Sequence, residues 1–85
     1  MRSQDARAMT YADRALLHVF ASSLSPDHRK SLVATIRWAR LSRRAHRQLT
    51  KSLREGWGTP PELAAIFRHR ANLAEISSFL KGLDG

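Results

Sequence analysis

The sequence predicts an all-α protein, a compact bundle of four to five short helices with room for a helix-turn-helix. Apolar residues recur at helical spacing in several segments, and Ser, Thr, Asn or Pro stands before each segment, where helices begin. No segment alternates apolar and polar residues as a half-buried strand would. The composition, 42% apolar and 26% charged with four Gly and three Pro, is typical of a folded chain.

The chain has 85 residues, which is the size of one domain with a small core. Residues 1–9 are mostly polar and charged and show no apolar period, so we expect a flexible basic N-terminus there. Residues 10–83 would then be a single helical domain. The net charge of +8 indicates polyanionic partners and carries no information about the fold.

The first helix is predicted to start after Thr10, because a hydroxyl followed three residues later by an acid, here Asp13, is a helix-capping pattern. Leu16, Val19 and Phe20 then lie on one face at helical spacing. We expect these three side chains to point into the core.

A second helix is predicted to start at Ser25, Pro26 and Asp27. Proline fits the first helical turn, and an acid there lies at the positive end of the helix dipole. Leu32 and Ile36 follow on one apolar face, which we expect to be buried.

Residues 37–54 contain seven of the fifteen Lys and Arg of the chain, and no acid occurs between Asp27 and Glu55. At about 100° per residue, the seven basic side chains fall within an arc of about 120° on one side of a helix. The opposite arc is apolar, and we expect it to anchor the segment to the core. Its members are Trp38, Leu41, Ala45, Leu49 and Leu53.

The apolar face of the second helix is out of phase with this arc, so one straight helix cannot bury both. We therefore predict a break between Ala39 and Ser42, with Ser42 as the cap of a third helix that runs to about Glu55. This third helix keeps most of the basic stripe.

Two capping boxes follow the glycine at position 56. Thr59 with Glu62 predicts one helix start, and Asn72 with Glu75 predicts another. We favour two separate helices over one continuous helix. Apolar residues of this region would form a heptad seam in the continuous version, and a homodimer through the seam is a further expectation. The seam residues are Ile66, Leu73, Ile76, Leu80 and Leu83.

Residues that could carry catalysis are scarce, so we expect no enzyme activity, no cofactor and no metal. Four of the seven carboxylates stand in predicted first helical turns, where capping or the helix dipole explains them. The four His form no catalytic or metal-binding motif, and the chain has no Cys. No apolar run is long enough to span a membrane or resembles a signal peptide, so we expect a cytoplasmic protein without membrane contact.

Basic runs are usually interleaved with acids, and this one is not. Like charges at helical spacing repel by tenths of a kcal/mol per pair, a cost that a polyanion relieves. We therefore expect a DNA-binding protein of the transcriptional-regulator type, with the third helix on or in the major groove and DNA favoured over RNA. The expected contact residues are Arg37, Arg40, Arg43, Arg44, His46, Arg47, Gln48, Lys51 and Arg54.

A second segment resembles a known family. Residues from Asn72 to Gly82 include Ile-Ser-Ser-Phe-Leu-Lys-Gly, which resembles the recognition-helix end of Cro/repressor-type helix-turn-helix proteins. The resemblance implies a helix-turn-helix at the C-terminal end. It departs from the family pattern at Arg70, where a turn glycine is expected, and at Ile66, where a small residue is expected. A competing register places the turn before Ser42, and charge favours that register.

Two alternatives remain open from the sequence. The basic helix of a protein-interaction module, such as an adaptor, antitoxin or inhibitor, would dock against an acidic protein surface. An RNA-binding protein is the other alternative, because arginine-rich helices also bind structured RNA.

Overall fold

The computed structural model describes residues 9–84, which form five α-helices and no strand. The predicted all-α class is therefore confirmed. None of the helices in this part of the chain is long and apolar enough to cross a membrane. The helices are α1 Tyr11–Ser22, α2 Pro26–Ala39, α3 Arg43–Glu55, α4 Pro61–Arg68 and α5 Asn72–Asp84.

The predicted flexible terminus included Met9, and this was wrong for that residue. Met9 is buried and belongs to the core cluster, because its long apolar side chain reaches the packed helices from a position just before α1. The rest of the predicted basic terminus, residues 1–8, lies outside the described residues.

Three predicted N-caps are confirmed. Thr10 and Asp13 form a reciprocal capping box, with main-chain to side-chain hydrogen bonds of 3.0 and 3.1 Å. Ser25 caps α2, and Pro26 takes the first helical position. The Ser42 hydroxyl accepts a hydrogen bond of 3.0 Å from the backbone N–H of Ala45. α3 therefore begins at the break that the difference in phase between the two apolar faces predicts. A cap of this kind contributes about 1 kcal/mol.

The capping box predicted at Thr59 is wrong. Pro60 occupies the N-cap of α4 and offers no side-chain acceptor, while the Thr59 hydroxyl is buried without a hydrogen-bond partner in the described chain. The reason is the second proline. Pro61 disfavours helical geometry in the residue before it, so Pro60 stays extended with ψ 146° and becomes the cap itself.

The expectation of two helices after residue 60 is confirmed. α4 ends at Arg68, because the C-cap His69 leaves the helical region with a ψ of 108°, and α5 begins three residues after His69. Asn72 does not act as predicted, since it is the first residue of α5 and is buried. Its side-chain amide donates a 3.1 Å hydrogen bond to the carbonyl of Ile66 and so satisfies the end of α4.

All five helices contribute fully buried side chains to one core, and α2 packs most extensively against α3 and α5. Most of the predicted seam is part of this core, so the seam is not a free surface for a homodimer. The largest fully buried residues are Leu17, Leu32, Ile36, Leu49, Leu53, Leu63, Ile66, Phe67, Leu73, Ile76 and Leu80.

The buried face of α1 is rotated by one position from the predicted face, toward Leu17 and Ala21. Leu17 and Ala21 are fully buried, Leu16 and Phe20 are only partly buried, and Val19 is 68% exposed. Because apolar residues lie on several sides of this helix, periodicity alone did not identify which side the other helices cover.

Two predicted anchors of the basic segment are also exposed. Leu41 is 81% exposed and Trp38 is 49% exposed, whereas Ala45, Leu49 and Leu53 are buried as predicted. Leu41 lies in the turn between α2 and α3, and Trp38 lies on α2. The helical phase of α3 therefore does not extend to either residue.

Arg29 connects three parts of the fold. Its guanidinium donates to the carbonyls of Ala21 and Leu24 at the end of α1, and it forms a 2.6 Å ion pair with Asp84 of α5. The hydrogen bond from Arg29 lowers the pKa of Asp84 below its ordinary value of 3.8, although partial burial opposes this shift. A second ion pair within residues 9–84, between Arg14 and Glu75, is more exposed and stabilises less.

We expect the ion pair of Asp84 to make stability dependent on pH in the acid range. Because the folded-state pKa is lowered, the contribution is present above pH 3.8 and is lost as the pH falls through the lowered pKa. Asp84→Asn should melt at a lower temperature than the wild type at pH 7, and the difference should shrink below pH 3.8. Thermal melts from pH 7 to pH 2 measure this, with Glu75→Gln as the exposed-pair control. A constant difference across the range would contradict it.

We expect Leu49→Ala to lower the free energy of unfolding by about 2–4 kcal/mol, because the substitution leaves a cavity in the core next to α2. Leu41→Ala removes the same atoms from an exposed turn and should change stability by less than about 0.5 kcal/mol. Urea unfolding of both variants provides the measurement. Equal losses would show that α3 is not held to the core by Leu49.

Candidate nucleic-acid interface

The N-terminus of α3 carries basic side chains, although the helix dipole already makes that end of a helix positive. Arg43 and Arg44 occupy its first turn, which contains no acid. The unsatisfied N–H groups of a helix N-terminus are equivalent to about +0.5 charge, so the two guanidinium groups add to a positive end. Each of the other four helices has a carboxylate in its first turn, as predicted. These carboxylates belong to Asp13, Asp27, Glu62 and Glu75.

The exposed face of α3 is basic along its whole length. The buried stripe of Ala45, Leu49 and Leu53 holds one side of the helix against the core, and the cations occupy the other side. From the first to the last of them the helix rises about 16 Å. None forms an ion pair with a carboxylate of residues 9–84. The exposed cations are Arg43, Arg44, Arg47, Lys51 and Arg54.

Two adjoining grooves contain most of these cations, and no carboxylate of the described chain lines either groove. The first, which we call the α3 groove, has a volume of about 240 Å³ and is lined by Arg44, Arg47, Gln48 and Lys51. The second, which we call the corner groove, has a volume of about 460 Å³. It is lined by Arg43, His46, Arg47, Thr50, Arg68 and Arg70.

Arg68 and Arg70 are functional candidates that the sequence analysis missed. They lie at the end of α4 and in the turn before α5, and both are exposed. A signal was present in the sequence, since no acid occurs between Glu62 and Glu75. That signal does not show that the two arginines lie beside α3, because at least 13 positions separate them from Glu55, the last residue of α3.

Two hydrogen bonds hold this basic turn, one against α3 and one against the end of α2. The Nε2 atom of His46 lies 2.6 Å from the carbonyl oxygen of Phe67, which requires the ring to donate from Nε2. The Nη2 atom of Arg70 donates a 2.6 Å hydrogen bond to the carbonyl of Arg40, the residue at the end of α2. His46 is thus half-buried and links α3 to α4, a positioning role that its place in the basic run did not indicate.

Three of the predicted contact residues lie away from both grooves. Arg37 is in the last turn of α2, Arg40 is the C-cap of α2, and Arg54 is in the last turn of α3. Cations at these positions interact favourably with the negative end of a helix dipole, which gives each of them a structural explanation. Arg43, Arg44 and Arg47 have no such explanation.

A third groove lies on the other side of α3, at the exposed ring of Trp38. We call it the Trp38 groove, and its volume is about 450 Å³. It shares Arg44 and Gln48 with the α3 groove, so the indole and the basic surface are continuous. The groove is lined by Trp38, Ser42, Arg44, Ala45, Gln48 and Ser52.

No protein-family model matches this chain, and searches of curated proteins and of solved structures found no match. The resemblance of residues 72–82 to Cro/repressor-type proteins therefore stays a local prediction.

The two predicted helix-turn-helix registers differ in their surroundings. In the register at α5, the acids near the two ends of the helix, Glu75 and Asp84, pair with Arg14 and Arg29 of other helices. In the competing register, α2 and α3 are joined by the three residues 40–42, a length typical of helix-turn-helix pairs.

The charge at the start of α3 should reduce stability. We expect Arg44→Glu to raise the melting temperature of the free protein by about 3–8 °C, because an acid at this end is favoured by about 0.3–1 kcal/mol and like-charge repulsion is removed. Lys81→Glu makes the same change in net charge in the last turn of α5, where a cation is favoured, and should not raise it. Thermal melts at low salt give the comparison. Equal increases in both variants would assign the effect to net charge.

Proposed function

We propose that this protein binds nucleic acid through the exposed face of α3 and the basic turn between α4 and α5, with duplex DNA as the expected target. One observation supports this most strongly. Arg43 and Arg47 of α3 and Arg68 and Arg70 of a separate part of the chain line one groove, and no carboxylate of residues 9–84 lines it. Clustered cations from two distant segments are expected at a site for phosphate groups.

The charge balance of this surface favours a polyanion. Ion pairs or helix ends explain charges elsewhere, as for Arg14, Arg29 and Arg37. Of the groove cations, Arg68 also lies at a helix end, in the last turn of α4. No carboxylate of residues 9–84 forms an ion pair with any groove cation, so their mutual repulsion persists in the free protein. Phosphates would relieve this repulsion, and binding would release condensed counterions from the nucleic acid. Six residues are proposed for phosphate contact: Arg43, Arg44, Arg47, Lys51, Arg68 and Arg70.

The dimensions of α3 fit a groove of duplex DNA. Its 13 residues correspond to about 20 Å of helix, and the major groove is about 12 Å wide, enough for an α-helix. Gln48 lies between Arg44 and Lys51 in the α3 groove. Its amide can pair with adenine, and the fork of Arg44 can pair with guanine. Because Arg44 is among the proposed phosphate contacts, we propose Gln48 alone for base contact and leave His46 to its link with α4.

A role in transcription and a homodimer are further parts of this proposal. Regulators that use a helix-turn-helix commonly bind as dimers whose half-sites are one helical turn apart. Four of the five residues of the predicted seam are fully buried within the chain, so a dimer would have to use another surface. The α2–turn–α3 segment is the helix-turn-helix proposed here, with α3 as the recognition helix.

A second candidate function is the binding of an acidic protein. It is favoured by the exposed side chains of Trp38 and Leu41 beside the basic surface, since large apolar residues are frequent at the centres of protein interfaces. Such a partner would bind as one defined complex. Nucleic-acid competitors would then have a small effect.

The experiment is a salt series with random-sequence duplex DNA from about 50 to 300 mM salt. Four to six phosphate contacts predict a log–log slope of affinity against salt of about −3.5 to −5.5. Arg47→Ala, Arg68→Ala and Arg44→Ala should each reduce this slope by about 0.9 and weaken binding without unfolding the protein. Arg14→Ala removes the same charge from α1 and is the matched control, whose slope should equal that of the wild type.

The possible contrary outcomes point to different targets. Unchanged slopes in all three arginine variants would remove the proposed interface. Absence of binding at 50 mM salt would favour the acidic-protein candidate. Displacement of duplex DNA by an equal concentration of structured RNA, without the reverse, would assign the interface to RNA.

A further inference from the structure

Trp38 is an apolar side chain that the core does not use. Its neighbours on α2, Leu32, Ile36 and Ala39, are fully buried, whereas the Trp38 residue is 49% exposed. The ring contacts found in residues 9–84 are His18 with Phe79 and the ring of His28 with Trp57, so no aromatic side chain of this part covers the indole of Trp38. A large flat ring is thus presented to solvent beside the most basic helix.

The surroundings of the indole suit one part of a nucleotide. The Trp38 groove, at about 450 Å³, is within the range of small-ligand sites. Gln48 offers amide donor and acceptor groups, and Arg44 offers guanidinium donors, on the wall that this groove shares with the α3 groove. A base on the indole would therefore have hydrogen-bonding groups at its edge and phosphate-binding cations next to it.

We propose that Trp38 stacks on an unpaired base, so that the preferred ligand is nucleic acid with a single-stranded segment. The proposal rests on the proposed function, because the same cations would hold the phosphates. In an intact duplex each base is stacked on its neighbours and offers no free face, whereas an unpaired base does. Basic grooves with an aromatic platform are the usual combination in proteins that bind single strands.

The test compares two labelled probes of equal length, a 20-nucleotide single strand of thymidine and a 20-base-pair duplex, by fluorescence anisotropy. Trp38→Ala should weaken single-strand binding by about tenfold, from the loss of one stacked base, and should change duplex binding by less than about twofold. Trp38→Phe keeps an aromatic face and should retain most of the affinity. Val19→Ala and Tyr11→Ala, both on α1, are matched controls for exposed apolar and aromatic side chains, and neither should change binding.

A second measurement follows the indole directly. Trp57→Phe leaves Trp38 as the only Trp of the chain. Its emission should be quenched by the single strand and should change little with the duplex. This readout does not require the Trp38→Ala variant to fold. We nevertheless expect the melting curve of Trp38→Ala to match that of the wild type, because the side chain of Trp38 is exposed.

The outcomes separate the two proposals. Duplex binding by the wild type, with equal or no loss in Trp38→Ala on both probes, would overturn the stacking contact and leave the proposed function intact. No binding of either probe would overturn both proposals. Single-strand binding that depends on Trp38, without duplex binding, would support the stacking contact and restrict the proposed function to unpaired nucleic acid.

Discussion

The packing of α3 against the core is the contact on which the rest of the structure depends. Ala45, Leu49 and Leu53 form the only apolar stripe of this helix, and their burial against the other helices sets its rotation. Once that side is covered, every cation of the helix must face solvent. Burial of apolar area therefore outweighs the repulsion between the cations, since one buried leucine contributes about 1.5–3 kcal/mol and each like-charge pair costs tenths.

The turn between α4 and α5 extends the basic surface through contacts that are themselves polar. The ring of His46 and the guanidinium of Arg70 both donate to main-chain carbonyls, and Asn72 does the same within the turn. These hydrogen bonds go to carbonyl groups near helix ends, where the helix itself supplies fewer donors. The His46 bond joins α3 to α4, and the Arg70 bond joins the turn to the end of α2, so these two bonds hold Arg68 and Arg70 next to α3. Stability and the assembly of the proposed interface thus depend on the same contacts.

The turn between α2 and α3 leaves two large apolar side chains exposed to solvent. Because the chain changes direction at residues 40–42, the apolar faces of the two helices can both reach the core although their phases differ. Leu41 is left in the turn and Trp38 at the edge of α2. An exposed indole beside an exposed basic helix is a consequence of this geometry, and the proposed interface combines these two features as charge and stacking contacts.

The sequence by itself determined the local features of this protein: the all-α class, the starts of α1, α2 and α3, and the one-sided basic character of α3. Each depends on residues within about four positions of one another, so spacing along the chain is sufficient. The tertiary structure decided which side of α1 is buried and that His46 contacts Phe67. It also brought Arg68 and Arg70 beside α3, which spacing cannot show because the contact joins residues distant along the chain.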